Sequence, residues 1–109
     1  MEPNQYNYRG PWNEYFSALF RENFTAYRVK EERLSGISAN MTLLYRFYAA
    51  DGSNVLVVQV MSQNSSSNRV QRDCESKGIR YLRFYHDHPG WWNTYRYVVA
   101  RVKGALGQI

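Results

Sequence analysis

The chain has 109 residues and a net charge of +5, with 44% apolar and 17% aromatic residues. This length suits one domain and excludes a second of ordinary size, and the apolar content excludes a wholly disordered chain. No apolar run is long enough to span a bilayer, and the start of the chain lacks the basic and apolar segments of a secretory signal. The single cysteine, Cys74, excludes an internal disulfide. We therefore expect a soluble, reduced, cytoplasmic protein with no membrane partner.

The excess positive charge lies in the second part of the chain. Residues 1–66 contain six basic and six acidic residues, whereas residues 67–109 contain eight basic and three acidic ones. Eleven of the 14 basic residues are arginine, which is suited to bidentate phosphate contacts and to stacking on aromatic rings. This distribution is compatible with a polyanionic partner, and equally with a basic surface that has no dedicated ligand.

The hydrophobic spacing predicts seven elements in the order α-β-β-β-α-β-α. Residues 1–9 are expected to be a flexible N-terminal lead, followed by a single domain over residues 10–109. The predicted elements are a helix at 11–23, strands at 26–30, 41–50 and 55–60, a helix at 67–77, a strand at 79–85, and a last helix capped by Asn93 or Thr94. Residues 35–40 are predicted to be a loop.

Two sequence signals predict how the strands pair. The turn Asp51-Gly52-Ser53-Asn54 is typical of a hairpin, so the second and third strands are expected to be antiparallel. The nearly continuous apolar run over residues 55–60 fits a strand buried on both faces. The β-α-β step that follows predicts a parallel pair crossed by a helix. The expected fold is an α/β domain (an α+β arrangement) with a four-stranded mixed sheet flanked by helices.

One stretch, from Asn68 to Phe84, resembles a segment of a known family. Its sequence, NRVQRDCESKGIRYLRF, is similar to the corresponding segment of very-short-patch-repair-type endonucleases and their small relatives. The predicted order of elements is also the core order of the PD-(D/E)XK nuclease fold. The resemblance extends over residues 41–106 and implies a restriction-endonuclease-like domain.

The resemblance also implies where catalytic residues would lie. In that family an acidic residue of the second strand and an E-x-K tripeptide of the third hold a divalent cation. Here the tripeptide reads Gln59-Val60-Met61, which lacks both the carboxylate and the ammonium group. The resemblance thus implies the fold, and this departure argues against the activity. An active Mg²⁺-dependent endonuclease is the alternative, and its migrated catalytic residues would be Glu14, Asp51, Gln59 and Lys77.

Two arginines are predicted on the polar side of the middle helix. Arg69 and Arg72 lie beside its start, where free amide groups and the helix dipole would help them to hold a phosphate. The alternative is intrahelical pairing with Asp73 and Glu75, which contributes only a few tenths of a kcal/mol per pair. The sequence favours neither interpretation.

Arginines also occur on the fourth strand and the last helix. Arg80 and Arg83 have odd spacing and are therefore predicted on opposite faces of their strand, so one of them must pair with an acid or reach the sheet edge. The residues predicted to contact a nucleic acid or a protein partner are Arg69, Arg72, Arg83, Trp91, Arg96, Tyr97, Arg101 and Lys103.

Aromatic residues are dense around the start of the last helix. The spacing of Trp92 and Tyr95 with the valines that follow predicts that both face the core. Trp91 and Tyr97 lie off that apolar stripe and are predicted to be exposed. An exposed group of this kind is typical of a platform that stacks on bases, or of a hot spot for a protein partner.

The loop after the fourth strand contains His86-Asp87-His88. The two imidazoles are weak candidates for a metal site. The alternative is a loop in which they form only local hydrogen bonds, because the sequence indicates no further ligands. We expect neither a metal nor another cofactor, except Mg²⁺ if the nuclease alternative holds.

The expected function is that of a small non-catalytic nucleic-acid-binding protein on a degenerate nuclease-like fold, an accessory of a mobile element or phage. DNA is favoured over RNA as its partner. The alternative is a protein-binding inhibitor or adaptor, such as an anti-CRISPR-type protein that acts on a nucleoprotein complex. The long apolar third strand leaves open either a central position or a dimer interface.

Overall fold

The structure, a computed structural model, describes residues 4, 6, 12–34, 42–62 and 68–107. This part of the chain confirms the predicted order of helices and strands. The elements are α1 (Trp12–Asn23), β1 (Arg28–Leu34), β2 (Thr42–Tyr48), β3 (Asn54–Met61), α2 (Arg69–Lys77), β4 (Arg80–Tyr85), a 3-10 helix (Gly90–Trp92) and α3 (Tyr95–Ala105).

The four strands form one mixed sheet in the order β1-β2-β3-β4. The β1–β2 and β2–β3 pairs are antiparallel, and β3 pairs with β4 in parallel. The register places Gln59 beside Arg83 and Val60 beside Phe84. The predicted hairpin and parallel pair are therefore both confirmed, and β3 takes a central position with its last six residues buried.

Helices cover both faces of the sheet. Helices α1 and α3 pack on one face, where their apolar residues meet alternate residues of β2, β3 and β4. Helix α2 packs on the opposite face over Leu44 and Val57, through Cys74 and the half-buried Val70. Because α2 has only nine residues and one fully buried side chain, the core under it is small and the main core lies under α1 and α3.

Strand β1 is longer than predicted. The expected strand at 26–30 is observed at Arg28–Leu34, because the charged run from Lys30 to Arg33 continues the pairing with β2. An edge strand tolerates and even favours charged residues, since they discourage pairing with another chain. Glu32 forms an ion pair with Arg46 of β2 at 3.2 Å.

Around α3, the structure differs from the prediction in the burial of the aromatic residues. Trp92 and Tyr95 are 40% and 39% exposed, so the prediction that they face the core is wrong. Trp92 belongs to the 3-10 helix rather than to α3, which breaks the helical spacing. Tyr97, predicted to be exposed, is half-buried. The valines alone form the buried stripe of α3: Val98, Val99 and Val102.

Some predictions fall on residues outside the described part of the chain. Of the lead predicted at residues 1–9, only Asn4 and Tyr6 are described, and the loop predicted at 35–40 is not. Within the described ranges, no helix has the length and apolar character that a membrane crossing requires.

Two glycines allow a matched test of the backbone. Gly78 caps the end of α2 with a φ of +70°, whereas Gly104 lies inside α3, and a Cβ at either position would meet open space. Gly78→Ala should lower the free energy of unfolding by about 1 kcal/mol, because a side chain strains a left-handed residue. Gly104→Ala should raise it by about 0.5–1 kcal/mol, because alanine restricts the unfolded chain. Urea unfolding of both variants measures the two effects. Changes of the same sign in the free energy of unfolding would contradict the assigned conformations.

Candidate functional site

The parallel strands β3 and β4 both end at the same end of the sheet, where α2 begins. The amide of His86, just after β4, donates to the carbonyl of Met61, the last residue of β3, at 3.0 Å. The hydroxyl of Ser62 donates to the Asp87 carboxylate at 2.8 Å. In open α/β sheets, ligands bind outside the carboxyl ends of the parallel strands. We call this region the carboxyl end.

Two tryptophans are exposed at the carboxyl end. Trp91 is 66% exposed, and its ring lies 4.4 Å from that of Trp92 at an angle of 30°. The ring of Trp92 lies 5.9 Å from the imidazole of His88 and 6.3 Å from the ring of Tyr97. We call His88, Trp91, Trp92 and Tyr97 the aromatic surface. Its exposed indoles can stack on flat rings of a partner.

A buried asparagine fixes the backbone beneath the aromatic surface. Asn93 is 1% exposed, and its side-chain amide donates to the carbonyl of Tyr85 at 2.7 Å. Its own carbonyl accepts a hydrogen bond from the Tyr15 hydroxyl at 2.6 Å. Thr94 rather than Asn93 caps α3. The role of Asn93 was missed from the sequence because its partners are eight and 78 residues away.

A cation of α3, Arg101, adjoins the aromatic surface. The guanidinium of Arg101 lies 5.0 Å from the ring centre of Phe84 and 5.8 Å from that of Tyr97. Arg96 and Lys103 are exposed on the same helix, and the segment Tyr95–Ala105 contains no acidic residue. The helix therefore carries positive charge without acidic compensation of its own, and Arg101 is held in place by two rings.

The predicted contact residues divide into two groups on opposite faces of the sheet. Trp91 and the α3 residues Arg96, Tyr97, Arg101 and Lys103 form one group, beside the α1 and α3 face. Arg69, Arg72 and Arg83 form the other, on the face covered by α2. Because β4 is an edge strand, the groups adjoin: Arg101 Nη1 is 3.5 Å from the carbonyl oxygen of Arg83.

The intrahelical pairs considered for α2 are replaced by another. Asp73 forms its ion pair with Lys77, at 3.1 Å, four residues on. Arg72 forms no ion pair with Glu75 in the described part of the chain, and Arg69 and Arg72 are both exposed. A surface pair of this kind contributes about 0.3–0.5 kcal/mol.

Arg80 and Arg83 point to opposite faces, as their spacing predicts. Arg80 donates to the carbonyl of Ala105 in α3. Arg83 donates from Nε to the Tyr81 hydroxyl at 2.9 Å and from Nη2 to Asn68 Oδ1 at 3.0 Å. In the described part of the chain neither arginine pairs with an acid; both lie on β4, an edge strand, which is the other predicted alternative.

A buried amide lies behind Arg83. Gln59 is 4% exposed, and its Oε1 accepts a hydrogen bond from the Tyr81 hydroxyl. Burial raises the pKa of Tyr81, although the neighbouring Arg83 opposes the shift. Tyr81 therefore stays protonated and links the amide of Gln59 to the guanidinium of Arg83. We call Arg83 with Gln59, Asn68, Gln71, Tyr81 and Tyr85 the Arg83 cluster.

The residues of the nuclease alternative are not brought together. Asp51 lies in the turn before β3 and Lys77 at the end of α2, both at the opposite end of the strands from the carboxyl end. Gln59 is near the end of β3, and Glu14 is exposed on α1, across the sheet. These positions lack the convergent carboxylates that a catalytic Mg²⁺ requires.

The two histidines of the loop have different aromatic neighbours. His86 stacks on Trp12 with ring centres 4.0 Å apart, whereas His88 lies 4.7 Å from the ring of Tyr85. Burial lowers the pKa of His86, and Asp87 acts in the opposite direction. Among the described residues, no group of three or more His, Cys, Asp or Glu side chains is placed to hold a metal ion.

Comparison of the chain with protein-family models, with characterised proteins and with solved structures found no match.

Proposed function

We propose that the protein binds nucleic acid without cleaving it, through the aromatic surface and the cations of α3. The observation that carries this proposal is the contact chain Trp91–Trp92–Tyr97–Arg101, in which exposed rings lead directly to a fixed guanidinium. Proteins that bind single strands combine stacking rings with cations that follow the phosphates. DNA is the partner we propose, in the cytoplasm, and the free thiol of Cys74 fits that compartment.

The resemblance to PD-(D/E)XK nucleases supports a non-catalytic role within that proposal. Gln59 stands at the position of the family's glutamate, and the Tyr81 hydroxyl donates to it. An acceptor amide satisfied in this way fills the position without supplying a charge to a metal. We propose a degenerate nuclease-like domain that serves as an accessory of a mobile element or phage.

Substitution of Trp91 tests the stacking part of the proposal. Trp91→Ala should weaken binding of a fluorescein-labelled single-stranded oligonucleotide about five- to 150-fold, because base stacking contributes about 1–3 kcal/mol. Trp91→Phe keeps a ring and should retain most of the affinity. Fluorescence anisotropy at 50 mM salt measures both variants. Equal affinity of the alanine variant and the wild type would contradict a stacking role.

The same samples separate binding from cleavage. We expect the oligonucleotide to remain intact on a denaturing gel after incubation with Mg²⁺, and binding to persist when a chelator removes the Mg²⁺. Cleavage that disappears with the chelator would instead support the alternative of an active endonuclease.

A protein-binding inhibitor or adaptor is the second candidate. Tryptophan, tyrosine and arginine dominate hot spots of protein interfaces, and the aromatic surface with Arg101 contains all three. Such a protein could act on a nucleoprotein complex, as anti-CRISPR proteins do. It requires no affinity for free DNA, so absence of oligonucleotide binding at low salt would favour this candidate.

A further inference from the structure

We propose that the Arg83 cluster is a second binding site, which holds a phosphate group. It lies at the carboxyl end on the face covered by α2, and the aromatic surface lies on the other side of β4. The choice of phosphate over other anions rests on the proposed function, whereas anion binding itself does not.

The guanidinium of Arg83 keeps donors available. A guanidinium has five N–H groups, and two of those of Arg83 form short hydrogen bonds, to Tyr81 and Asn68. Two further contacts are long: Nη1 to the Tyr85 hydroxyl at 3.4 Å and Nη2 to Gln71 Oε1 at 3.5 Å. A hydrogen bond weakens at such distances. Three of the five donors are thus weakly used or unused in the described structure.

Among the described residues, the charge of Arg83 has no opposite partner. No carboxylate of the described residues lies within ion-pair distance of it, and its four side-chain partners are neutral. Burial acts to lower the pKa of Arg83, but hydrogen bonds to the Tyr85 and Tyr81 hydroxyls outweigh it and raise the pKa. The half-buried group therefore stays cationic, and an anion would compensate it.

The neighbours of Arg83 add donors of the same kind. The Tyr85 hydroxyl accepts from Arg83, which leaves its own proton for a ligand. Asn68 and Gln71 also accept through their side-chain oxygens, so each retains an amide NH2 beside the guanidinium. A ligand rich in acceptor oxygens, such as a phosphate, complements this set.

A path of rings joins the Arg83 cluster to the aromatic surface. Tyr85 contacts the imidazole of His88 at 4.7 Å, and His88 lies 5.9 Å from Trp92. A nucleic-acid strand whose bases stack on Trp91 and Trp92 can therefore place one of its phosphates beside Arg83. The phosphate is either an internucleotide phosphodiester or a terminal phosphate monoester, and the two sources are separable by experiment.

Inorganic phosphate is the first probe. At constant ionic strength, NMR titration of the wild type should show saturable shifts of the Arg83 side-chain Nε–H at millimolar phosphate. Arg83→Gln should lose the saturable response of nearby amides, and Arg33→Gln, a matched change of an exposed arginine on β1, should retain it. If Arg83→Gln fails to fold, Tyr85→Phe takes its place. This variant keeps the ring and should weaken phosphate binding several-fold. An unchanged titration in Arg83→Gln, or in Tyr85→Phe in its place, would overturn the proposal.

Oligonucleotides with and without a 5′-phosphate identify the source. If Arg83 binds an internucleotide phosphodiester, both oligonucleotides should bind with equal affinity, and Arg83→Gln should lower that affinity about five- to tenfold. A terminal monoester predicts a preference for the phosphorylated form that Arg83→Gln abolishes. Oligonucleotide binding unaffected by Arg83→Gln, without a phosphate response, would overturn this site and leave the proposed function standing. A phosphate response without oligonucleotide binding would contradict the proposed function and leave the anion site standing.

Discussion

Replacement of Phe20 by alanine should destabilise the protein by about 3–5 kcal/mol, the range observed for buried aromatic residues. Phe20 is fully buried, with its ring centre 4.9 Å from that of Tyr45 and 5.6 Å from that of Phe47. It joins α1 to the main core over β2. Because domains of this size are stable by only about 5–15 kcal/mol, this loss is a large fraction of the total.

Denaturant unfolding followed by circular dichroism measures the effect of Phe20→Ala. Glu22→Ala, an exposed change on the same helix, should alter stability by less than about 0.5 kcal/mol. A cost below about 1 kcal/mol for Phe20→Ala would contradict the packing of α1 on the sheet.

The second large effect concerns the cations of α3. The variant Arg96→Gln/Arg101→Gln/Lys103→Gln should bind single-stranded DNA at least about 100-fold more weakly at 50 mM salt. Each phosphate contact at that salt contributes about five- to tenfold through release of counterions. All three are exposed cations of α3, which contains no acidic residue, and Arg101 contacts the aromatic surface through Tyr97. Anisotropy titrations of the wild type and the variant measure the loss.

A matched variant controls for net charge. Arg21→Gln/Lys30→Gln/Arg33→Gln removes the same charge from exposed positions of α1 and β1. It should lower affinity only a few-fold, because these side chains lie on α1 and on β1, the edge strand opposite to β4. Equal losses in both variants would show that net charge alone governs binding, and would contradict a surface centred on α3.

The fold was largely predictable because its local signals agree. The apolar run of β3 matches its central place in the sheet, and the glycine after Lys77 ends α2 in the left-handed conformation. The end of β1 was not predictable, because its charged run carries no apolar alternation and only the pairing with β2 holds it in the sheet. The exposure of Trp92 was missed because a 3-10 helix interrupts the spacing that assigned it to α3.

The candidate site was predictable in its residue types but not in its arrangement. The odd spacing of Arg80 and Arg83 places them on opposite faces, but only the sheet order shows that β4 is an edge strand with α2 and α3 on its two sides. The neutral partners of Arg83 come from α2 and β4, and the anchor of the tryptophans, Asn93, contacts α1. Contacts of this kind depend on tertiary packing and leave no pattern in a single sequence.

The most direct test of nucleic-acid binding is the salt dependence of anisotropy with a labelled single-stranded oligonucleotide. Three or four phosphate contacts, from Arg96, Arg101, Lys103 and Arg83, predict an affinity that falls about 20- to 50-fold between 50 and 200 mM salt. That slope would support binding through the cations of α3 and Arg83. No binding at 50 mM salt, or a fall of less than about fourfold, as a single contact or none would give, would contradict it.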